Sequence, residues 1–454
     1  MTKLNRRDFL KHSSAAAAFA ATPGLAFSQV IGSSASFADY RALVCVFLFG
    51  GNDSFNMLVP RSDAEYAVYA ASRQNLAIAQ QDLLPINPVT SDGVQYGLHP
   101  SMSALQNVFE QSGAAAFVTN VGPLIEPTTK DQFFSKSVAL PPQLFSHNDQ
   151  QDQWSSLKGN ATSKTGWAGR MADLIRTGVS GQQMATNASL FGSNLFQSAD
   201  ETVAYVMGSE GPVQFEGFST DPGSLFYEQR VAFQRIVDAG YGSIYERGFA
   251  DIQNRAIQAA DTVSNAIASA PPMATVFPQS QLGTQLATVA RLIAVRDELQ
   301  MQRQLFFVAA GGFDSHDNQI DDQPDLLGGV SDAMAAFYSA TVELGISDSV
   351  TSFTQSDFGR TLTSNGDGTD HAWGGNQLVL GGAVRGRDLY GSYPLLQIGG
   401  DDDVSGGRMI PTTSADQYAA TLAKWFGIAD ADLDVVAPNL ANFALRDLGF
   451  MIQV

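Results

Sequence analysis

The segment 353–375 gathers side chains that can bind a metal ion or transfer a proton. Asp357 follows an apolar, β-branched run, and Asp370 stands beside His371 after a glycine-broken loop. Carboxylate oxygen and imidazole nitrogen together suit zinc, manganese and similar divalent ions, and both groups serve in acid–base catalysis. The alternative is a surface loop in which Asp and Asn side chains stabilise turns. The positions of similar residues elsewhere decide between the two.

Two more groups of this kind follow apolar runs elsewhere in the chain. Gly-Gly-Asn-Asp53 ends the first run, and Gly-Gly-Phe-Asp314-Ser-His316 ends another. Residues that follow neighbouring parallel strands meet in one crevice at the carboxyl edge of the sheet. We therefore predict a divalent metal site there, with zinc or manganese as the candidate ions. Its six candidate ligands are Asp53, Asp314, His316, Asp357, Asp370 and His371.

Purely structural roles stay open for these residues. Asp53 would then cap the helix after its loop. Asp314 and His316 would belong to a turn, and His371 would be a solvated surface histidine. His99 has no acidic neighbour and is expected to be structural. A shared crevice would argue against several of these explanations at once, because it would place the groups together.

Ser146 is the candidate nucleophile, and it stands beside His147 in the polar segment 122–154. A serine hydroxyl is inert at neutral pH unless a metal ion or a base activates it. Ser54 is the reserve nucleophile. Arg360 would hold an oxyanion or a substrate carboxylate, or it would form a structural ion pair. Ser146, His147 and Arg360 are therefore the candidate catalytic residues.

Several common catalytic motifs are missing from the sequence. No predicted strand ends in a Gly-x-Ser-x-Gly elbow, which disfavours a lipase-type serine hydrolase. The first apolar run is not followed by Gly-x-Gly-x-x-Gly, and there is no phosphate-binding loop with Gly-Lys-Ser. Dinucleotide-dependent oxidoreductases and nucleotide hydrolases are therefore disfavoured.

The composition indicates a large, acidic, loop-rich protein. With 454 residues, 42 glycines and only 16% charged residues, the chain fits an α/β protein with a large core better than a coiled coil. The net charge of −19 disfavours binding to nucleic acid or to anionic membranes. The single cysteine, Cys45, rules out an internal disulfide and is expected to be a buried, inert thiol in a strand.

The N-terminus has the pattern of a twin-arginine export signal, although a disordered basic tail is the alternative. Arg6-Arg7 is followed by Phe-Leu and by the small, weakly apolar run 15–21, and residues 26–28 fit a cleavage site. Loss of residues 1–28 would remove four basic residues and one acidic residue, which moves the net charge from −19 to −22. No later segment is apolar over a length that spans a membrane. We expect a periplasmic or secreted protein.

Predicted strands alternate with predicted helices along the chain, which indicates an α/β fold. Continuous apolar runs such as 41–49 suit strands that are buried on both faces of a parallel sheet. The predicted strands are 41–49, 114–119, 304–310, 350–356 and 377–382. The predicted helices are 63–73, 102–111, 166–177, 227–237, 242–268, 282–300, 324–345 and 414–426. Residues 122–154 are predicted to be a loop, and 178–225 are weakly patterned.

A series of motifs, spread over essentially the whole chain, has the same order as in a known family. After the twin-arginine signal come FLFGGNDSFNMLVP, a His-Pro, a Ser-His segment, GGFDSH, SDFGRT and GTDHAWGG. Together they resemble the exported bacterial family known as domain of unknown function 1501, a branch of the alkaline-phosphatase-like superfamily of phosphatases, sulfatases and cofactor-independent phosphoglycerate mutases. The resemblance implies a central, mostly parallel sheet between helices. It implies a single domain over 40–454, with a helical and loop insertion at about 158–300.

The resemblance also implies a two-metal site built from Asp and His residues at strand ends. The matching positions are the first-strand Asp53, the mid-chain Asp314 and His316, and the later adjacent pair Asp370 and His371. Asp357 stands where the family more often has Glu, as a ligand or as support for one. The spacing Asp314-x-His316 is shorter than the usual Asp-x-x-x-His, and no lone histidine follows His371.

Three functions follow as hypotheses. The first is an exported metal-dependent hydrolase or transferase that acts on small-molecule phosphate or sulfate esters. The second is a non-catalytic exported binding or assembly protein with an exported protein partner, because members of the family look paired with another exported family. The third, the least supported, is a serine hydrolase of carboxyl esters. A bound divalent metal would favour the first, and a metal-free site with a co-purifying partner would favour the second.

Overall fold

The structure, a computed structural model, describes residues 37–159, 163–212, 219 and 221–453, so the signal predicted at 1–28 lies outside the described residues. The described strands form one nine-stranded sheet and one three-stranded sheet. In chain order they are β1 (Arg41–Leu48), β2 (Leu58–Pro60), β3 (Leu84–Ile86), β4 (Tyr96–Leu98), β5 (Ala115–Gly122), β6 (Asn187–Ser189), β7 (Tyr205–Val206), β8 (Arg303–Ala310), β9 (Val350–Ser356), β10 (Gly375–Gly381), β11 (Asp388–Tyr390) and β12 (Thr413–Ser414).

Helices of very different length connect these strands. The described α-helices are Ser54–Met57, Asp63–Arg73, Ser103–Asn107, Lys130–Ser135, His147–Ser156, Trp167–Ile175, Leu225–Val237, Ile244–Ser269, Gln281–Ala294, Gln319–Glu343, Ala415–Phe426 and Leu433–Val436. A π-helical turn at Val108–Ser112 continues one of them, and short 3-10 turns occupy Gln74–Leu76, Ser347–Ser349, Asp430–Asp432 and Leu440–Asn442.

β1 lies in the middle of the large sheet. The strand order is β11-β5-β10-β9-β1-β8-β6-β7, with β12 beside β5. β1 runs parallel to β8 and β9, so that Leu48 stands opposite Ala310 on one side and Ser356 on the other. Among the described strands of this sheet, only β10 runs antiparallel to its neighbours. The predicted α/β fold with a mostly parallel sheet is confirmed, and β1, β8 and β9 end at one edge.

Alternate residues of β1 pack into two separate cores. Val44 belongs to the core on the face covered by the helix Gln319–Glu343. Phe47 belongs to the other core, which the helix Ala415–Phe426 covers. A strand covered on both faces is apolar at every position, which explains the unbroken apolar run in the sequence. Cys45 lies in this strand as a buried free thiol, as predicted.

Most predicted elements are present, with ends that differ by a few residues. The predictions 63–73 and 350–356 agree with the structure at both ends. The helix predicted from residue 324 begins at Gln319 instead and contains Pro324. Pro324 lies beyond the first turn, in which proline is best tolerated, so it removes one intrahelical hydrogen bond.

The loop predicted for 122–154 is wrong in two places. It contains the helices Lys130–Ser135 and His147–Ser156. The first begins with a capping box, in which Thr129 and Gln132 satisfy each other's backbone N–H groups. Both helices are short and polar, so they lack the apolar periodicity that reveals a helix in a sequence.

The segment predicted as an insertion, about 158–300, contributes β6 and β7 to the edge of the large sheet beyond β8. It also contains a hairpin of the helices Leu225–Val237 and Ile244–Ser269. Several large apolar side chains on this hairpin are exposed, namely Leu225, Phe226, Ile236, Ile244, Tyr245, Phe249 and Ile252. None of the described helices is both long enough and apolar enough to cross a membrane.

Candidate metal centre

A glycine lets the loops that follow β1 and β8 pack closely. Gly50 has a φ of +116°, and a Cβ atom there would lie 2.3 Å from the backbone nitrogen of Asp314. The Arg360 guanidinium donates to the Gly50 carbonyl at 3.2 Å and to Asp314 Oδ1 at 2.7 Å. Asp314 is therefore held at the carboxyl edge of the sheet, where β1 and β8 end.

After β9 the chain turns back and brings His371 to the same edge. Arg360 and His371 form an isolated antiparallel bridge. Thr361 stabilises this turn: its N–H donates to the Asp370 carbonyl at 2.9 Å, and its Oγ1 accepts from the Asp370 N–H at 3.0 Å. As a result, His371 Nε2 lies 3.2 Å from Asp314 Oδ1.

His147 reaches the same place from the first turn of the helix His147–Ser156. Its Nε2 atom lies 3.4 Å from Asp314 Oδ2, and its ring centroid lies 4.3 Å from that of His371. One potential ligand atom from each of His147, Asp314 and His371 lies within 4.8 Å of the other two. Three elements that are distant in sequence thus place a carboxylate between two imidazoles.

His316 stands beside this group. Its Nε2 atom lies 2.9 Å from His371 Nε2 and 3.1 Å from Asp314 Oδ1. We call His147, Asp314, His316 and His371 the histidine centre. Donors bound to one ion at about 2.0–2.1 Å lie about 3–3.4 Å apart in tetrahedral or tighter geometry. The contacts at 2.9, 3.1, 3.2 and 3.4 Å between donor atoms of the centre fall close to that range, so the donor set fits a zinc-type ion.

Two histidines of the centre donate a hydrogen bond from Nδ1 to an oxygen behind them. His147 Nδ1 donates to Asp357 Oδ2 at 2.6 Å, and this carboxylate is fully buried. His371 Nδ1 donates to the Phe145 carbonyl at 2.8 Å. Phe145 has a φ of +74°, a conformation that costs a non-glycine residue free energy and often occurs at functional sites. Such acceptors fix the ring orientation and the tautomer of a metal-binding histidine.

His316 follows the same pattern more loosely, with Asp370 Oδ1 at 3.4 Å from its Nδ1 atom. A neutral imidazole whose Nδ1 carries the proton has a free lone pair on Nε2. If His316 also carries its proton on Nδ1, its Nε2 and His371 Nε2 face each other at 2.9 Å as two acceptors, together with the Asp314 carboxylate; in the other tautomer His316 Nε2 donates to His371 Nε2. A cation among these atoms would replace repulsion by attraction.

The surroundings of the centre favour unprotonated ligand atoms. Burial lowers the pKa of His371, and this effect outweighs the hydrogen bond to the Phe145 carbonyl, which raises it. Burial raises the pKa of Asp314, but the hydrogen bond and charge of Arg360 outweigh burial, so this pKa lies below its ordinary value. Both residues are thus ready to accept a cation near neutral pH.

Arg360 supports Asp314 rather than lying open to a substrate. Its side chain is fully buried. Besides its bonds to Asp314 and Gly50, it donates from Nε to Thr369 Oγ1 at 3.1 Å and from Nη2 to the Thr369 carbonyl. The structural ion pair, which the sequence left open, is therefore what the contacts of Arg360 show.

Asp53 lies apart from the histidine centre in a buried ion pair. Its Oδ2 atom pairs with Arg73 and accepts from Gln319 Nε2, while Oδ1 is buried without a hydrogen-bond partner among the described residues. Its side chain does not cap the helix Ser54–Met57. These contacts indicate that the Asp53 carboxylate neutralises the buried charge of Arg73.

The six predicted ligands thus divide into three groups. Asp314, His316 and His371 lie in the centre, together with His147, which the sequence suggested as catalytic. Asp357 and Asp370 lie behind the imidazoles of His147 and His316. Asp53 lies elsewhere, in its pair with Arg73.

The two candidate nucleophiles have different surroundings. Ser146 is partly exposed, and its Oγ donates to Asp149 Oδ2 at 2.6 Å. Ser54 is buried, and its Oγ accepts from the Asn376 N–H at 2.7 Å, which ties the start of β10 to the loop after β1. Of the two, Ser146 is the one that a substrate could reach.

His99 lies outside the histidine centre. It is 6% exposed, its Nδ1 accepts from the Ser101 N–H at 3.2 Å, and the Ser101 hydroxyl lies 2.8 Å from the same atom. Burial lowers the pKa of His99 to about 4. A neutral, buried imidazole with local partners matches the structural role expected for it.

Three further residues contribute to the site, and the sequence did not predict them. Phe145 acts through a backbone carbonyl, which no side-chain pattern reveals. Gln151 donates from Nε2 to Asp357 Oδ2 at 2.8 Å; its position four residues after His147, on one face of a helix, was a usable signal. Arg408 donates from Nε to the His371 carbonyl at 2.9 Å and sits at the end of a glycine-rich loop that carried no motif.

The fold and the N-terminus together define an exported α/β protein. Residues 3–23 match the twin-arginine translocation signal, which directs the protein to the periplasm or outside the cell. The chain belongs to the family described as "Protein of unknown function (DUF1501)", whose model matches residues 40–436. Among the curated proteins compared with the chain, none matches it.

Proposed function

We propose that the histidine centre binds a divalent metal ion and that the protein is an exported metal-dependent hydrolase or transferase of phosphate or sulfate esters. One observation carries the proposal: each imidazole has an oxygen near Nδ1, while its Nε2 lies against Asp314 or another imidazole. His147, Asp314 and His371 would hold the ion, with His316 beside them. Imidazole and carboxylate donors fit zinc or manganese.

The surrounding residues would keep these ligands in their binding forms. A bound ion would neutralise the ester oxygens and lower the pKa of the attacking hydroxyl. Asp357 would hold His147 in the tautomer whose Nε2 is free. Arg360 would keep Asp314 ionised through the hydrogen bond at 2.7 Å.

Ser146 is the candidate nucleophile of this proposal. Its hydroxyl proton points to Asp149 Oδ2 at 2.6 Å, so Asp149 would accept the proton as the hydroxyl attacks. A carboxyl-ester hydrolase would instead need a histidine against this hydroxyl. The third hypothesis therefore gains no support from the contacts of Ser146.

The fold leads us to extend the proposal to the alkaline-phosphatase-like superfamily. Two features support this placement: a mostly parallel sheet between helices, and a cluster of Asp and His residues where parallel strands end. Fold-level similarity of this kind supports an activity only through the site it carries.

Metal-dependent turnover of p-nitrophenyl phosphate and p-nitrophenyl sulfate tests the proposed activity. We expect hydrolysis of at least one of them by protein loaded with zinc or manganese, and its loss in chelator. His371→Ala should abolish turnover, because it removes a ligand. Asp325→Asn is the matched control, since Asp325 is an exposed carboxylate outside the centre. Equal turnover by His371→Ala and wild type, or none by any metal-loaded form, would exclude this function for these ester classes.

The second candidate is a non-catalytic exported protein that binds a protein partner, and the helical hairpin favours it. Exposed apolar side chains such as Tyr245, Phe249 and Ile252 recur at i, i+4 and i+7, which places them on one face of the helix Ile244–Ser269. Such a stripe is typical of a helix that packs against another protein. This candidate would be favoured over the first if the wild-type protein were metal-free and co-purified with a partner, and if Phe249→Glu abolished that co-purification.

A further inference from the structure

A side-chain cation beside the proposed metal ion would strengthen the binding of a substrate oxyanion, and Arg360 is not that side chain. Among the described residues, the Arg360 guanidinium donates hydrogen bonds to Asp314, Gly50 and Thr369, and the side chain is fully buried. The net charge of −19 repels an anionic ester over most of the surface. In addition to a metal ion in the centre, a side-chain cation beside it would therefore favour the binding of such an ester.

Arg408 lies beside the centre and is partly exposed. Its Nε donates to the carbonyl of His371 at 2.9 Å, and its Nη1 donates to the carbonyl of Ser405 at 3.2 Å. The guanidinium carbon lies 5.3 Å from the centroid of the Phe145 ring. Phe145 therefore touches both groups, through its carbonyl on His371 Nδ1 and through its ring on Arg408.

Arg408 also has guanidinium N–H groups that are free to bind a ligand. Among the described residues, the hydrogen bonds of its guanidinium come from Nε and Nη1 and none from Nη2, and none of the ion pairs includes Arg408. A guanidinium whose outer N–H groups are free binds a planar or tetrahedral oxyanion through paired hydrogen bonds. The side chain is thus fixed at one end and available at the other.

The loop that carries Arg408 is held in shape by a buried carboxylate. Asp403 is 2% exposed, and its two oxygens accept from the N–H groups of Gly399, Ser405 and Gly407 at 2.8 Å each. This loop also pairs with the segment after β9, where Leu362 N donates to the Gly407 carbonyl at 3.2 Å. The position of Arg408 is therefore preorganised, which lowers the entropic cost of binding an anion.

We propose that Arg408 forms an oxyanion subsite beside the histidine centre, where it binds a peripheral oxygen of a phosphate or sulfate group. The inference rests on the proposed function for the identity of the ester, but the anion subsite itself is defined by the contacts of Arg408. Its guanidinium binds the oxyanion through Nη N–H groups, while the bond from Nε to His371 keeps the anion close to the imidazoles. Arg408 therefore selects for an anionic ester over a neutral one.

Calorimetric titration with inorganic phosphate and with sulfate tests the subsite directly. Protein loaded with zinc or manganese is compared with Arg408→Gln, Arg408→Lys and the control Arg235→Gln, which alters an exposed arginine on the helix Leu225–Val237. We expect Arg408→Gln to weaken anion binding roughly tenfold to hundredfold, as the loss of a charged hydrogen bond does. Arg408→Lys should fall between, and Arg235→Gln should match wild type.

Metal content and thermal midpoint, measured on the same samples, distinguish anion binding by Arg408 from a purely structural role. If Arg408 only braces the His371 backbone, Arg408→Gln lowers metal content or stability and leaves the anion affinity of the loaded protein unchanged, which overturns the inference. Absence of phosphate and sulfate binding by wild type overturns it as well. If wild type takes up no metal but binds phosphate in a manner that depends on Arg408, the proposed function fails while the subsite stands.

Discussion

The buried carboxylate of Asp357 accepts a hydrogen bond from Nδ1 of His147 at 2.6 Å, while Nε2 of the same ring lies 3.4 Å from Asp314. Gln151 donates to the same Asp357 oxygen and keeps it in place. This carboxylate–imidazole pair turns a residue at the start of a short helix into a prospective metal ligand. It also converts a predicted ligand, Asp357, into the group that orients one.

Asp357→Asn should weaken the affinity for zinc or manganese about 10–100-fold, the usual effect of removing a carboxylate behind a metal-bound histidine. Competition with a chromogenic chelator measures this affinity. Asp370→Asn is the graded control: its carboxylate lies 3.4 Å from His316 Nδ1 and is half exposed, so the effect should be smaller. An affinity of Asp357→Asn equal to that of wild type would contradict the role given to Asp357.

Asp53→Asn should destabilise the fold and leave the metal content of the folded protein unchanged. The substitution leaves Arg73 buried without its counter-charge, which costs roughly 3–5 kcal/mol in free energy of unfolding. Denaturant titration measures this loss, and elemental analysis measures the metal. The double variant Asp53→Asn/Arg73→Met should regain part of the stability, because no lone charge is then buried. If folded Asp53→Asn lost its metal, Asp53 would be a ligand after all.

His99 should make the fold sensitive to acid. Burial lowers its pKa to about 4 from the ordinary value of 6.5, although the charge of Asp53 acts in the opposite direction. Because the folded-state pKa is the lower one, the unfolded chain binds more protons between these values. The contribution of the neutral imidazole is complete above about pH 6.5 and is lost as pH falls through about 4.

The free energy of unfolding should therefore drop by roughly 3 kcal/mol from this source between about pH 7 and pH 4. Urea titration of wild type and His99→Gln at several pH values measures the difference between the two proteins, which removes the shared effect of the carboxylates. Parallel pH dependence in the two proteins would show that His99 does not titrate in this way.

The sequence predicted the strands that position the site, because strands are recognised from the local pattern of apolar residues. The unbroken apolar run of β1 and the strand 350–356 signalled a parallel sheet, and a parallel sheet brings Asp314 and His371 to one edge. Likewise, the paired arginines and the small apolar run after them predicted export, which the signal match at residues 3–23 confirms.

What the sequence could not predict depends on contacts between distant segments. Asp53 has the sequence context of a ligand, and only the packing of the helix Asp63–Arg73 reveals that Arg73 neutralises it. The Phe145 carbonyl is a backbone group and has no sequence signature. His147 begins a short, polar helix. Such a helix lacks the periodic apolar residues that reveal a helix in a sequence.

The central claim is that the histidine centre holds a divalent metal ion. Elemental analysis of the exported protein, purified without chelator, tests it most directly when wild type, His147→Ala and His371→Ala are compared with Asp325→Asn. We expect zinc or manganese in wild type and in Asp325→Asn, its loss from both histidine variants, and a lower thermal midpoint of wild type in chelator. Metal-free wild type that neither takes up zinc or manganese nor changes its thermal midpoint in chelator would contradict the account.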